Sequence, residues 1–221
     1  MPEPYAFYFD ASSCTGCKAC QVACKDRHGL RVGLLWRRVY EVVGGGWRRS
    51  GGAWVTDVHA YYLSLACNHC ARPICVEVCP AGAIHRRDDG IVLLDPRQCI
   101  GCRYCEWACP YGAPQYDEEA GTMTKCTFCA DLIDRGQPPA CVAACPMRAL
   151  DFGPRAELEA RYGPLEAVDP LPADELTSPA LVLTPPQRRP PLPLSLLSPG
   201  DEGPGEAGAV DIANREEVGR R

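Results

Sequence analysis

Cysteine spacing constrains this chain more than any other feature of its sequence. All 16 cysteines lie within residues 14–145 of the 221-residue chain. They form four groups of four: Cys14, Cys17, Cys20 and Cys24; Cys67, Cys70, Cys75 and Cys79; Cys99, Cys102, Cys105 and Cys109; and Cys126, Cys129, Cys141 and Cys145. Such tight groups indicate metal clusters, because disulfide frameworks belong mostly to short secreted domains.

The spacing within the groups is typical of one kind of cluster. The first and third groups read C-x2-C-x2-C-x3-C, and the middle gap widens to four residues in the second group and eleven in the fourth. Bacterial ferredoxins use this run for 4Fe–4S clusters, and its last cysteine, followed by proline, ligates the neighbouring cluster. Pro80, Pro110 and Pro146 follow three of the four groups. A structural zinc module is the alternative, but paired C-x2-C ligands would leave the later cysteines of each group without a role.

The order of the groups predicts an α+β fold of two fused ferredoxin-like modules, one inserted in the other. Groups two and three form the inserted module at residues 67–120, with a short hairpin between them that ends in the strand Ile91–Leu94. Groups one and four form the outer module from residues 1–25 and 121–153. Residues 26–66 contain no cysteine and predict a β-hairpin insertion, with strands within Leu34–Val43 and Trp54–Ser64.

The composition changes after the last cysteine. Residues 151–221 hold 12 of the 22 prolines, which predicts an extended proline-rich tail over residues 154–221. A short helix is expected at Arg155–Tyr162, and the last stretch, Gly200–Arg221, is expected to be disordered. Two apolar stretches of the tail are expected to lie along a partner, Leu181–Leu183 and Leu192–Leu197.

Charge and hydropathy exclude several classes of function. A net charge of −5 argues against a nucleic-acid binder. No apolar run approaches the roughly 18–20 residues of a membrane span, and we expect neither a span nor a signal peptide. The twin arginines Arg37–Arg38 and Arg48–Arg49 lie too far inside for an export signal and are interpreted as solvated charge. No Ser/His/Asp set, phosphate loop or dinucleotide motif is present, so no catalytic residue is predicted.

The residues between the cysteines are also distinctive. The blocks are Cys14–Cys20 (CTGCKAC), Cys67–Cys70 (CNHC), Cys99–Cys105 (CIGCRYC), Cys109–Pro114 (CPYGAP), Thr124–Cys126 (TKC) and Arg148–Gly153 (RALDFG). They resemble the electron-transfer subunit of DMSO reductase, within the complex iron–sulfur molybdoenzymes, over roughly residues 5–155. The resemblance implies a non-catalytic subunit of an oxidoreductase that carries four 4Fe–4S clusters.

The resemblance also implies a crossed set of ligands for each cluster. Cluster 1 would be held by Cys14, Cys17, Cys20 and Cys145; cluster 2 by Cys24, Cys126, Cys129 and Cys141; cluster 3 by Cys67, Cys70, Cys75 and Cys109; and cluster 4 by Cys79, Cys99, Cys102 and Cys105. Some relatives replace the cysteine at the position of Cys102 and hold a 3Fe–4S cluster there. This chain keeps it, so four 4Fe–4S clusters are expected.

The same resemblance implies partners and a location. A subunit of this kind links a molybdopterin catalytic subunit, next to cluster 1, with a membrane-anchored quinol-oxidising subunit, next to cluster 4. Association with the outer, periplasmic face of the membrane through these partners is expected, with a cytoplasmic-side complex as the alternative. The same relay could serve a formate dehydrogenase, hydrogenase, nitrite, polysulfide or tetrathionate system, so the terminal substrate stays open.

Several other residues near the cysteines attract attention. His69 is interpreted as a hydrogen-bond donor behind the ligands rather than a ligand or proton carrier, and Tyr104 and Trp107 as core packing. No metal-like partner is expected for the other histidines, His28, His59 and His85. Five cations lie close to predicted ligands and either adjust cluster potentials or are ordinary solvated charges: Lys18, Lys25, Arg103, Lys125 and Arg148.

Overall fold

Short strands and short helices alternate along the chain. The computed structural model describes residues 3–50, 53–166 and 168–186. The strands are β1 (Tyr5–Asp10), β2 (Arg38–Gly44), β3 (Trp47–Ser50), β4 (Ala53–Thr56), β5 (His59–Leu65), β6 (Ile84–Arg86), β7 (Val92–Leu94), β8 (Gln115–Asp117), β9 (Thr122–Thr124), β10 (Leu150–Pro154) and β11 (Leu181–Thr184). The helices are α1 (Ala19–Arg27), α2 (Ile74–Glu77), α3 (Tyr104–Ala108), α4 (Ala130–Ile133), α5 (Ala140–Ala143) and α6 (Arg155–Tyr162). This mixture agrees with the predicted α+β class.

A three-stranded sheet with β1 at its centre joins distant parts of the chain. β1 pairs antiparallel with β10 and parallel with β11. The aromatic β1 sequence YAFYFD suits a strand that is buried on both faces. Phe7 and Phe9 face the cysteine-rich core, whereas Ala6 and Tyr8 pack with residues of α6 and β11.

β11 corrects one expectation about the tail. Leu181–Leu183 is buried and hydrogen-bonds in the ladder with β1, so it lies along its own chain and not along a partner. The helix expected at Arg155–Tyr162 is confirmed as α6. The expectations for Leu192–Leu197 and for a disordered Gly200–Arg221 lie outside the described residues.

The cysteine-free segment forms the predicted strand pair. β2 and β5 pair antiparallel in the register Arg38↔Leu65 to Gly44↔His59. β2 begins four residues later than the apolar stretch that starts at Leu34, since Leu34–Arg37 turns inward before the strand. Beyond this pair the chain forms a second antiparallel ladder, β3 with β4. β3 lies where the sequence predicts the connecting loop, and most of β4 lies at the start of the predicted strand stretch Trp54–Ser64.

Helix contacts bring the cysteine groups together in pairs. α1, which carries Cys20 and Cys24, packs against α5 from the fourth group. α2 of the second group packs against α3 of the third. The hairpins β6–β7 and β8–β9 lie before and after the third group, and β6–β7 is the short hairpin expected there. Within the described residues, no helix is long and apolar enough to cross a membrane.

Candidate iron–sulfur sites

Three cavities are each lined by four cysteines. The first is lined by Cys67, Cys70, Cys75 and Cys109. The second is lined by Cys79, Cys99, Cys102 and Cys105. The third is lined by Cys14, Cys17, Cys20 and Cys145. Each set takes three cysteines from one group and the fourth from another.

The other four cysteines also meet. Cys24, Cys126, Cys129 and Cys141 are all buried. The Cys24 thiol interacts electrostatically with those of Cys141 and Cys129, and the Cys126 thiol with those of Cys24 and Cys141. The fold therefore places twelve of the predicted ligands around three cavities and the other four in one buried group whose thiols interact electrostatically. We refer to these sets of ligands as set 1 (with Cys14), set 2 (with Cys24), set 3 (with Cys67) and set 4 (with Cys79).

The backbone of the cysteine loops points amide groups at the sulfur atoms. Met123 N–H donates to Cys99 Sγ and Phe128 N–H to Cys126 Sγ, each over 3.3 Å. The Cys109 sulfur accepts from the amides of Ala113, Tyr111 and Gly112. Hydrogen bonds of this kind stabilise the negative charge of an iron–sulfur cluster and adjust its reduction potential.

The first and third loops repeat the same backbone conformation. Gly16 and Gly101 both have φ of +68°, and Lys18 and Arg103, two residues later, have φ of 61° and 65°. Left-handed residues at regular intervals turn successive N–H groups to the inside of a loop, which makes a concave site for an anion. The shared C-x-G-C-[K/R] sequence thus specifies the same cradle twice.

Gly101 provides a test of this cradle. A Cβ on Gly101 would lie 2.5 Å from the Gly121 carbonyl oxygen, whereas Gly136 has the same φ of +68° and open space around it. Gly136→Ala should therefore cost only the left-handed strain of about 1–2 kcal/mol. Gly101→Ala adds a backbone clash, so we expect a larger loss of stability and loss of iron from set 4. Iron content and denaturant midpoints compare the two variants, and equal effects would contradict the clash.

Burial changes the acidity of the cysteine thiols. Desolvation, followed by neighbouring cysteines, raises the pKa of Cys24 to about 12 and that of Cys105 to about 11. Desolvation also raises the pKa of Cys75 to about 12. Iron binds thiolates, so a cationic metal centre in the cavities must supply the charge that keeps these sulfurs deprotonated.

The donor sets fit a multi-iron cluster. Four thiols surround each cavity, and zinc would require its four sulfurs at about 2.3 Å from one point. In the part of the chain that the structure describes, no group of three or more metal-ligating side chains converges closely enough for a single ion. Each cavity is instead ringed by the four thiols that one 4Fe–4S cluster requires.

His69 has a defined tautomer. Its Nδ1 accepts a hydrogen bond from Val92 N–H over 3.0 Å, so Nε2 carries the proton. Burial, and then the Lys125 ammonium, hold the pKa of His69 well below its ordinary value, so the ring is neutral. His69 lines the cavity of set 3, and its Nε2–H donor has no partner among the described residues. This agrees with the interpretation of His69 as a hydrogen-bond donor to the ligated cluster rather than a ligand.

His28 has a partner that its position in the sequence does not reveal. Its Nε2 lies 3.3 Å from Cys129 Sγ, and its ring packs 4.5 Å from that of Trp36. This contact joins residues that are distant along the chain, so sequence spacing gives no sign of it. His59 and His85 are exposed.

Tyr104 and Trp107 are not in the core. Their exposed fractions are 52% and 73%, and the nearby Ile100 is also exposed. The prediction of core packing is wrong for both, because α3 is a single short turn that covers set 4 with only one of its faces. The result is an apolar patch beside Cys102, formed by Ile100, Tyr104 and Trp107.

The structure separates the five cations that lie near the cysteines. Lys125 is buried, and its Nζ donates to Val92 O over 2.5 Å and to Cys126 O over 2.9 Å. Lys25 is half-buried and bonds to backbone carbonyls. The other three are exposed: Lys18, Arg103 and Arg148.

Arg37 is the functional candidate that sequence reasoning missed. The sequence predicts solvated charge at this position, but only 2% of Arg37 is exposed. Burial alone would lower the pKa of Arg37, but Cys141, Cys126 and Cys20 raise it above its ordinary value. No local pattern marks this burial, because the surrounding groups come from distant segments of the chain.

Comparisons with known proteins agree with this geometry. A family model described as a 4Fe–4S dicluster domain matches residues 58–155, and one described as a 4Fe–4S binding domain matches residues 5–26. Together with the cysteine-lined cavities, these matches define a ferredoxin-like iron–sulfur protein that binds 4Fe–4S clusters.

More extensive similarities narrow the class. The protein is 53% identical over 185 residues to the B subunit of the anaerobic dimethyl sulfoxide reductase of Escherichia coli K12, a match that covers 84% of this chain and 90% of that subunit. It is 51% identical to the corresponding B subunit of Haemophilus influenzae, a match that covers 83% of this chain and 90% of that subunit. It is 39% identical to the thiosulfate reductase electron transfer subunit PhsB of Salmonella typhi, a match that covers 72% of this chain and 80% of that subunit. The protein therefore belongs to the family of DMSO reductase iron–sulfur, electron-transfer subunits.

Proposed function

We propose that the chain holds four 4Fe–4S clusters, one in each set, in two ferredoxin-like modules of which one is inserted in the other. The observation that carries this proposal is the sorting of sixteen cysteines into four sets of four by the fold. The contacts of α1 with α5 and of α2 with α3 support the nested arrangement, since each joins two cysteine groups. When bound, such clusters accept and release single electrons.

The polypeptide supplies ligands, burial and hydrogen bonds. Thiolates fix the iron, apolar walls exclude water, and backbone amides donate to the sulfur atoms. Nothing in this arrangement acts on a substrate, so we assign no catalytic residue to the chain. Burial and hydrogen bonding are the means by which such a protein sets a reduction potential.

We propose that the four sets form a continuous relay. Cys20 of set 1 interacts with Cys141 of set 2, and Cys126 of set 2 with Cys67 of set 3. Sets 3 and 4 are joined through α3, where Cys105 and Cys109 are four residues apart. Short steps of this kind suit electron tunnelling, which decays steeply with distance.

The proposed partners lie at the two ends of this relay. At one end Cys17 of set 1 is exposed, which favours contact with a molybdopterin catalytic subunit there. At the other end the patch of Ile100, Tyr104 and Trp107 beside set 4 suits a membrane-anchored quinol-oxidising subunit, since exposed aromatic patches mark interfaces. Attachment at the periplasmic face of the membrane, through these partners, is part of the proposal.

A DMSO reductase-like complex is favoured over other respiratory systems. The identity is 53% to the DMSO reductase B subunit and 39% to a formate dehydrogenase iron–sulfur subunit of Wolinella succinogenes, a match that covers only 66% of this chain. A relay for formate dehydrogenase, hydrogenase, nitrite, polysulfide or tetrathionate chemistry is the second candidate.

Isolation of the native complex tests the proposal. We expect about 16 iron and about 16 acid-labile sulfide per chain, together with a molybdenum-containing large subunit that reduces DMSO. Protease treatment of spheroplasts before isolation should degrade the chain if it lies on the periplasmic face. Zinc in place of iron would overturn the assignment of clusters. A large subunit active only with another acceptor would overturn the choice of complex.

A further inference from the structure

Arg37 is a buried cation with incomplete hydrogen bonding. Its Nη1 donates to the Ser64 carbonyl oxygen over 3.1 Å and to Ser64 Oγ over 3.2 Å. Its Nε and Nη2 are buried and have no oxygen or nitrogen hydrogen-bond partner among the described residues. A guanidinium remains charged at any working pH and cannot escape burial by losing its proton. Such a group requires anions close by.

The groups around Arg37 identify those anions. The guanidinium interacts electrostatically with Cys141 and Cys126 of set 2 and with Cys20 of set 1, and the interaction with Cys141 is the largest of the three. Ser64 Oγ in turn lies 3.3 Å from Cys20 Sγ. The side chain is therefore placed between two sets of ligands.

The position of the guanidinium is fixed by packing. Its central carbon lies 4.7 Å from the centroid of the Phe7 ring, within the range of a cation–π contact. Phe7 is itself stacked on Phe128 at 4.0 Å. With one edge held by Ser64 and one face by Phe7, the unpaired Nε and Nη2 donors have little freedom to turn elsewhere.

Ligated clusters would supply the missing anions. An oxidised 4Fe–4S cluster with four thiolate ligands carries a charge of about −2, and reduction adds one more negative charge. A cation between two such centres favours the reduced state of both. Because the interior screens charges weakly, this effect exceeds that of any surface cation.

We propose that Arg37 is a positioning residue that stabilises the reduced clusters of sets 1 and 2 together, and so sets the electron equilibrium between this pair and the clusters of sets 3 and 4. The proposal rests on the ligand sets proposed above. It distinguishes Arg37 from the exposed cations near the cysteines, which water and salt screen.

Redox titration of the intact complex, followed by electron paramagnetic resonance, tests the role. In Arg37→Gln we expect the equilibrium constant for reduction of clusters 1 and 2 to fall about tenfold each, which is about 59 mV for a one-electron couple. Clusters 3 and 4 should change much less. Arg161→Gln removes the same charge from an exposed side chain and should leave all four potentials unchanged.

The outcomes separate this inference from the proposed function. Fewer than four clusters in the wild-type complex would overturn the proposed function. Four clusters in wild type, with unchanged potentials for clusters 1 and 2 in Arg37→Gln, would overturn only the role of Arg37. Arg37→Lys keeps the charge and serves as the rescue control, so both potentials should stay close to those of the wild type. If Arg37→Gln does not accumulate, Arg37→Met, which also removes the charge, takes its place. Unchanged potentials of clusters 1 and 2 in that variant overturn the proposal.

Discussion

A Cys109→Ala variant is expected to lose the cluster assigned to set 3 and to keep the one assigned to set 4. Cys105→Ala should do the opposite. The two cysteines are four residues apart, yet Cys105 lines one cavity and Cys109 the other. The reason is local: α3 ends at Ala108, and Cys109 has an extended backbone with φ −77° and ψ 114°. The Cys109 side chain therefore points in a different direction from the side chains of α3.

Iron analysis and electron paramagnetic resonance of the two variants measure this reciprocity. Each variant should lose between about one and about four iron per chain, since three remaining cysteines can hold a 3Fe–4S cluster, and a different 4Fe–4S signal should be missing in each. Alanine is preferred to serine because a serine oxygen can replace the thiolate as a ligand. Each variant is the control for the other, since both remove one buried thiol from the same segment. Loss of the same signal in both would contradict the crossed assignment of Cys105 and Cys109.

The cysteine groups were predictable because cluster ligation is a local requirement. Three cysteines of one loop must reach the same iron–sulfur cluster, and this requirement fixes the number of residues between them. It also fixes the left-handed turn between them, as at Cys99–Cys105, where Gly101 has φ +68°. The hairpin of β2 and β5 and the helix α6 were predictable for a similar reason, since apolar pattern and stop signals act within ten residues.

The failures share a different cause. Arg37 becomes buried through Ser64, Cys126 and Cys141, and Leu181–Leu183 becomes a strand because β1 offers a free edge. Each depends on which distant segments meet, and residue type alone favours the opposite outcome: arginine is usually exposed, and a proline-rich tail is usually extended.

Replacing Lys125 with methionine is the second substitution for which we expect a large effect. The Lys125 side chain is only 2% exposed, and its ammonium joins Val92 O on β7 to Cys126 O in a ligand loop. Val92 thus accepts from Lys125 through its carbonyl oxygen and donates to His69 Nδ1 through its N–H. Lys125 therefore connects a ligand loop of set 2 with the wall of set 3.

Methionine keeps most of the volume and removes the donors. Two buried carbonyl oxygens then lose their partner, at about 1–3 kcal/mol each, so the expected cost is about 2–6 kcal/mol of stability. Loss of the visible iron–sulfur absorbance during anaerobic denaturant titration of the complex measures it. Lys18→Met removes an equal charge from an exposed position beside set 1 and should change the midpoint little.

The ammonium also acts on the sulfur atoms electrostatically. Lys125 opposes the rise in the pKa of Cys75, which burial and then Cys67 produce, and it does the same for Cys126. Cys75 belongs to set 3 and Cys126 to set 2, so Lys125 acts at the junction between sets 2 and 3. Arg37 acts at the preceding junction, between sets 1 and 2. Lys125→Met should therefore release iron from sets 2 and 3 before sets 1 and 4 as denaturant rises. Simultaneous loss of all four signals at the Lys18→Met midpoint would show that Lys125 contributes nothing specific to this junction.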